Sequence, residues 1–380
     1  MKKRVIAGSM IAALVALFCV SLAGFGVAQD IQSAQPIFTT LPPHSYYPVK
    51  PADPAAQLPQ WTFAWTSSFD NRNFSSVIVG ADPRTSNTTT TVTVMVFPIK
   101  MVYGASNGNM TFDPSTPYFG NVSTTGMIAM SPIFRGEFDF VQGGTDLGKT
   151  QYIDAYQRGN FWAAIKHNRK YHIVLQRMAE PELTFNVPAS DGNVIPNPWS
   201  GIPTGTADIN WFDQQLQAVM AKNTQIQPNI LPLFITENVY LTSGGCCIGG
   251  YHSANTGAPG GQTYSYSTSI QQAVVPVFSQ DISALSHELG EWLMDPFTTN
   301  SSPCPSNGIL EVGDPLETET GVHDFGDWPY TIGGFTFHPQ DLVFITWFGA
   351  PPATSLDVWN GKTVNVTTFQ NENAAVCQIL

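Results

Sequence analysis

The chain has 380 residues, with 16 Lys and Arg against 28 Asp and Glu and a formal net charge of −12 at pH 7. That balance rules against a nucleic-acid binder or a protein docked on an anionic membrane, because both depend on clustered Lys and Arg. With 43% hydrophobic and only 12% charged residues, the length supports a large core and permits more than one domain.

Residues 1–28 carry a basic start (Lys2, Lys3, Arg4), a long apolar stretch and the small residues Gly26-Val27-Ala28. This is the layout of a secretory signal peptide cleaved after Ala28. An uncleaved anchor is the alternative, since about 18 apolar residues can span a bilayer. Cleavage moves the formal charge from −12 to −15, because three basic residues and no acidic one precede Asp30. The expected location is secreted or periplasmic, with no membrane contact after cleavage. Four cysteines then remain, Cys246, Cys247, Cys304 and Cys377. An even number in an exported chain favours two disulfides, for which three connectivities exist. One of these joins Cys246 to Cys247 and Cys304 to Cys377.

Residues 29–60 are rich in Pro, Gln and Ala without helical or alternating pattern, and predict an extended leader. From Trp61 to about Tyr103 the chain turns β-rich, and "TTTTVTVMVFPIKMVY" predicts a buried strand. "TDLGKTQYIDAYQRGNFWAAIKH" predicts a helix capped by Thr145 or Asp146. After a Gly-, Pro- and Asn-rich loop, "DINWFDQQLQAVMAKN" predicts a second helix and "LPLFITENVYL" a strand. "GGCCIGGYHSANTGAPGGQ" reads as a glycine-rich loop and "QQAVVPVFS" as extended chain. A third helix, "SHELGEWLMDP", starts near Asp281 and stops at Pro296. Strands and helices in this order predict an α+β fold over residues 61–380 as one domain, with a β-rich N-terminal portion.

The third helix carries the chemistry. Residues four apart on a helix lie about 40° apart around its axis, so His287 and Glu291 project from one face and can reach one metal ion. Glu288 sits about 100° from His287, placed to border the same ion. A third ligand is available in "NGILEVGDPLE": Glu311 lies 24 residues after His287 and 20 after Glu291. Asp295 is a rival, because positions 287, 291 and 295 form a stripe on the helix, and Asp314 is the next alternative. For Asp295 a role at the helix C-terminus competes with ligation.

Over residues 281–316 the sequence resembles the zincin metallopeptidases, whose H-E-x-x-H helix has the same layout but for Glu291 in place of the second histidine. The resemblance implies a zincin-like mixed sheet with a backing helix and a metal-binding helix. It also implies a Zn²⁺ ion and Glu288 as the general base that activates the metal-bound water. The thermolysin-like gluzincins place a ligand Glu at the separation of Glu311, which would leave Asp314 to orient the metal-binding histidine. "WTFAWTSSFD", "DAYQRGNFW", "HELGEWLMDPF" and "LEVGDPLE" resemble a group of secreted bacterial proteins with H-E-L-x-E-W-x-x-D-P. A similar pattern occurs in plant phosphate-induced extracellular proteins. Neither group implies proteolysis.

The expected function is therefore a secreted zinc-dependent peptidase-like hydrolase acting on a peptide or protein substrate. The alternative is a non-catalytic extracellular binding or matrix-associated protein with a structural metal. One His and two carboxylates leave a Zn²⁺ site less positive than two His and one carboxylate, which weakens it as a Lewis acid. Carboxylate-rich ligation also favours harder ions such as Mn²⁺, Ca²⁺ or Fe²⁺. His252 reads as a surface or structural histidine, or as an oxyanion donor from a loop. His323-Asp324 reads as a loop hydrogen bond or a proton-handling pair. No nucleophile elbow or phosphate loop is present in the sequence.

Overall fold

The computed structural model describes residues 38–49, 53–142, 145–167, 170–198, 200–274, 280–304, 308–316, 329–340 and 342–351. The chain divides at Ser33 and Ala34 into two units. The signal segment, Cys377, His323 and Asp324 lie outside the described residues.

The second unit is an α+β fold built on one mixed sheet. Its relevant strands are β1 (Phe38–Thr40), β2 (Gln60–Thr66), β3 (Asn73–Val79), β4 (Thr89–Tyr103), β5 (His172–Ala179), β6 (Ile230–Glu237), β7 (Gly250–Ala254) and β8 (Thr263–Ser269). Its relevant helices are α1 (Tyr152–Asn160), α2 (Ile209–Lys222) and α3 (Ser283–Met294). The sheet order is β1-β7-β8-β6-β4-β5, with Thr111–Phe112 and Leu183–Val187 also paired to β4. Along that path β7 and β8 run antiparallel and the other neighbours parallel.

The β-branched run that predicts a buried strand forms β4, the centre of the sheet. Side chains on a strand alternate in direction. Val92, Val94 and Val96 enter one core, and Met95, Phe97, Ile99 and Met101 the other. Helices α1 and α3 pack into the first core through Ile153 and Leu289, and α2 packs into the second through Phe212 and Leu216. The α2 N-terminus is capped by Asp208, whose carboxylate accepts from the backbone N–H groups of Asn210 and Trp211.

Several elements differ from the sequence expectation. Thr145–Thr150 is not the first turn of a helix but the second strand of a hairpin with Phe138–Gln142, and α1 begins at Tyr152. The Val, Phe and Gly of those segments suit a hairpin better than the Thr145 cap suits a helix. The stretch "GYHSA" is not loop but β7, whose main-chain groups pair with β8 on one side and β1 on the other. Residues 38–40 of the leader are thus an edge strand of the main sheet. The third helix starts at Ser283, two residues after Asp281, whose carboxylate accepts from the Ile282 and His338 N–H groups.

All twelve residues of α3 are buried, so it is an enclosed helix and not a half-solvated amphipathic one. It lies against β7, β8, β3 and α1. Trp292 fixes its rotation by donating its indole N–H to Thr263 Oγ1 at 3.0 Å. Cys246 and Cys247 are bonded to each other, and Cys304 is disulfide-bonded to a cysteine outside the described residues. Among the described residues, no helix is long and apolar enough to cross a membrane.

Candidate metal centre

Helix α3 brings His287 and Glu291 together as the four-residue spacing requires: His287 Nε2 lies 3.1 Å from Glu291 Oε1. Alternation on β7 sends Tyr251 into the aromatic core and His252 to the other face, toward α3. There His252 Nδ1 lies 3.3 Å from Glu288 Oε2 and 3.7 Å from Glu291 Oε2. The irregular segment after α3 supplies Glu311 and Asp314. Glu311 Oε2 is 3.9 Å from His252 Nε2, and Asp314 Oδ1 is 3.7 Å from His287 Nε2. Two glycines permit this crowding. A Cβ on Gly250 would stand 2.8 Å from Glu288 Cγ, and one on Gly313 would stand 2.3 Å from His287 Nδ1.

The hydrogen-bond partners of both histidines determine which ring nitrogen carries the proton. His252 Nε2 lies 3.1 Å from the Asp295 carbonyl, which can only accept, so Nε2 donates. Burial lowers the His252 pKa to about 3, so the ring is neutral and its Nδ1 lone pair faces Glu288 and Glu291. Gln340 Nε2 donates to the Gly313 carbonyl at 3.0 Å, which turns Gln340 Oε1 toward His287 Nδ1 at 2.9 Å. His287 therefore donates from Nδ1 and presents the Nε2 lone pair to Glu291 and Asp314. Ser286 Oγ holds the support in place by accepting from Gln340 N at 2.7 Å.

Lone pairs and carboxylates thus converge on one another, an arrangement that can hold a cation. Both carboxyl oxygens of Glu311 are buried and meet no donor among the described residues. Burial pushes the Glu311 carboxyl well above the usual carboxylate range, and the charges of Glu291, Asp295 and Asp314 push the same way. Its side chain faces Glu291 closely enough to share a proton with it, so a proton or a metal cation must offset the pair. Two ligands about 2.0–2.1 Å from one tetrahedral Zn²⁺ stand ~3.4 Å apart. The 3.1 Å and 3.3 Å separations around His287 and His252 match that spacing.

Two groups have ligand atoms within 4.8 Å of one another: His252, Glu288 and Glu291, and His287, Glu291 and Asp314. These buried His, Glu and Asp groups can hold a metal ion. The expected pair His287 and Glu291 is adjacent, with Glu288 beside it. Glu311 lies at Glu291 and His252 but outside both groups, whereas Asp314, expected to orient the histidine, sits at the ligand nitrogen of His287. Gln340 does the orienting. Asp295 accepts from the Thr299 N–H at 2.9 Å and the Asn300 N–H at 3.0 Å, and closes the end of α3.

Sequence reasoning missed Gln340 and Phe38, and considered His252 as an oxyanion donor or a surface or structural histidine but not as a ligand. His252 is a fully buried strand residue, and the alternation in "GYHSA" was the available signal for its facing α3. Gln340 lies 53 residues beyond His287, and Phe38 lies in the leader, its ring centroid 4.1 Å from that of His287. Neither had a local signal. The chain matches no protein-family model, no curated protein and no solved structure.

Proposed function

We propose that this chain is an exported metalloprotein whose carboxylate-rich centre closes on its metal and ties α3 to β7 and to the 311–314 segment. The reading is carried by the two imidazole lone pairs, His252 Nδ1 and His287 Nε2, both directed at carboxylate oxygens within 3.1–3.7 Å. Zn²⁺ suits the imidazoles and the ligand spacing, and Mn²⁺ or Ca²⁺ suits the carboxylates. A metal held this way stabilises the fold, because the unfolded chain offers no such arrangement. The role is extracellular binding or matrix association, without nucleic acid.

Burial favours this over hydrolysis. His287, Glu288 and Glu291 are 0–1% exposed and Glu311 is 2% exposed, whereas a catalytic ion keeps a position open for water and a substrate carbonyl. Glu288, the residue that would activate water, is turned toward His252.

A secreted zinc-dependent peptidase is the second reading, favoured by one observation. The cover over His287 is Phe38 on an edge strand, and its displacement would uncover that ring together with the free edge of β7. In that form His287 and Glu291 would hold the ion, and Glu288 would take a proton from the attacking water. Metal analysis of wild type and Glu288→Gln, with a broad peptide-library digest, separates the readings. Stoichiometric metal without cleavage in wild type supports the closed centre. Cleavage by wild type but not by the variant supports the peptidase, and absence of metal removes both.

A further inference from the structure

We infer that the centre is built for two divalent cations that share Glu291: an inner ion at His252, Glu288 and Glu291 Oε2, and an outer ion at His287, Asp314 and Glu291 Oε1. This rests on the reading that the cluster binds metal, and extends it from one ion to two.

The two groups meet at one carboxylate through different oxygens. His287 Nε2 lies 3.1 Å from Oε1, and His252 Nδ1 lies 3.7 Å from Oε2. Among the described residues, no group of ligand atoms within 4.8 Å contains both histidines. A single ion with ligands at about 2.1 Å spans no more than ~4.2 Å between opposite ligands, so one ion does not take both imidazoles. A carboxylate that bridges through its two oxygens suits ions about 3.5–4 Å apart, the separation of two-metal sites.

Charge points the same way. With all four ionised as ligands, Glu288, Glu291, Glu311 and Asp314 bring four negative charges, and a single divalent ion would leave a net excess of two in a mostly buried space. Two divalent ions balance them. Glu311 adds to this: it is buried, faces the shared Glu291 closely enough to share a proton with it, and meets no other donor among the described residues. Neither group alone includes it, yet its charge falls beside the residue common to both.

The two positions differ in access. Every ligand of the inner ion is 0–1% exposed, whereas the Asp314 side chain of the outer ion is 27% exposed. The outer ion therefore exchanges with solvent first, and it is the one that water or an external ligand can reach.

The test uses the full chain as secreted, loaded in separate experiments with Zn²⁺ alone and Mn²⁺ alone, with bound metal counted after removal of excess. Two ions per chain of at least one metal are expected, leaving to EDTA in a fast and a slow phase. His252→Ala should drop the count to one and remove the slow phase, and Asp314→Asn should remove the fast phase. If His252→Ala does not fold, electron paramagnetic resonance of the Mn²⁺-loaded wild type decides instead, with spin coupling between neighbouring ions expected. One ion per chain, two ions in folded His252→Ala, or two uncoupled Mn²⁺ ions overturns the shared centre and leaves the metalloprotein reading standing. No bound ion of either metal overturns both.

Discussion

The Phe38 ring packs on His287 with centroids 4.1 Å apart and planes tilted by 35°, because β1 pairs in parallel with β7 and sets Phe38 opposite Gly250. An apolar ring over the imidazole screens the centre from water. Phe38→Ala should therefore release metal to a chromophoric chelator at least several-fold faster than wild type. It should also cost about 3 kcal/mol of stability, the low end for truncating a buried Phe. An unchanged release rate would remove Phe38 as the cover.

Glu291 and Asp295 lie one turn apart but hold different partners, and their variants should separate. Glu291→Gln takes a charged ligand from both groups, so metal content should fall to near zero. Asp295→Ala takes the acceptor from the Thr299 and Asn300 N–H groups. It should keep metal while losing about 1–3 kcal/mol for the donors left buried. Elemental analysis with urea denaturation of both variants measures this, and loss of metal in a folded Asp295→Ala would make Asp295 a ligand.

Gly250 is present for clearance. A methyl group there would stand 2.8 Å from both Glu288 Cγ and Oε1, where the strand backbone and the helix leave little room to yield. Gly250→Ala should destabilise by about 1–3 kcal/mol, as overpacking does, and should weaken metal binding by turning Glu288 away from His252. Isothermal titration of the metal-free variant with Zn²⁺ would show the loss.

The segment after β1 is pinned to α2 by His44, whose Nε2 lies 2.8 Å from buried Asp213 Oδ2. That hydrogen bond raises the His44 pKa above its ordinary 6.5, against the lowering effect of burial. A group whose folded pKa is raised contributes stability that is complete below the unfolded value of about 6.5 and is lost as pH rises through the folded value. Resistance of this segment to protease should therefore decline as pH is raised above about 6.5. His44→Ala should lie at the high-pH level throughout and show no such decline.

Much of the fold was legible because it rests on local pattern. The β-branched run of β4 and the segment "DINWFDQQLQAVMAKN" of α2 each specify an element by local pattern, and both form. So did the four-residue spacing that puts His287 beside Glu291. The strand at 145–150 was misread as a helix start because its pairing partner, the strand at 138–142, lies outside the window in which a cap is judged. The strand β7 was misread because the glycines in and around it suggest a loop, when Gly250 is there to admit Glu288.

The sequence by itself determined that one helix would present a histidine and two glutamates in a compact cluster, since helix geometry depends only on neighbours along the chain. It also supplied acidic candidates further along the chain, Glu311 and Asp314. Only the tertiary structure decided that His252 joins from a strand, that Gln340 sets the His287 tautomer, and that Phe38 closes the top. Those relationships span 35 to 249 residues of sequence. They arise because burial of α3 on every side forces each polar group near it to find a partner, and the packed chain determines which partner is at hand.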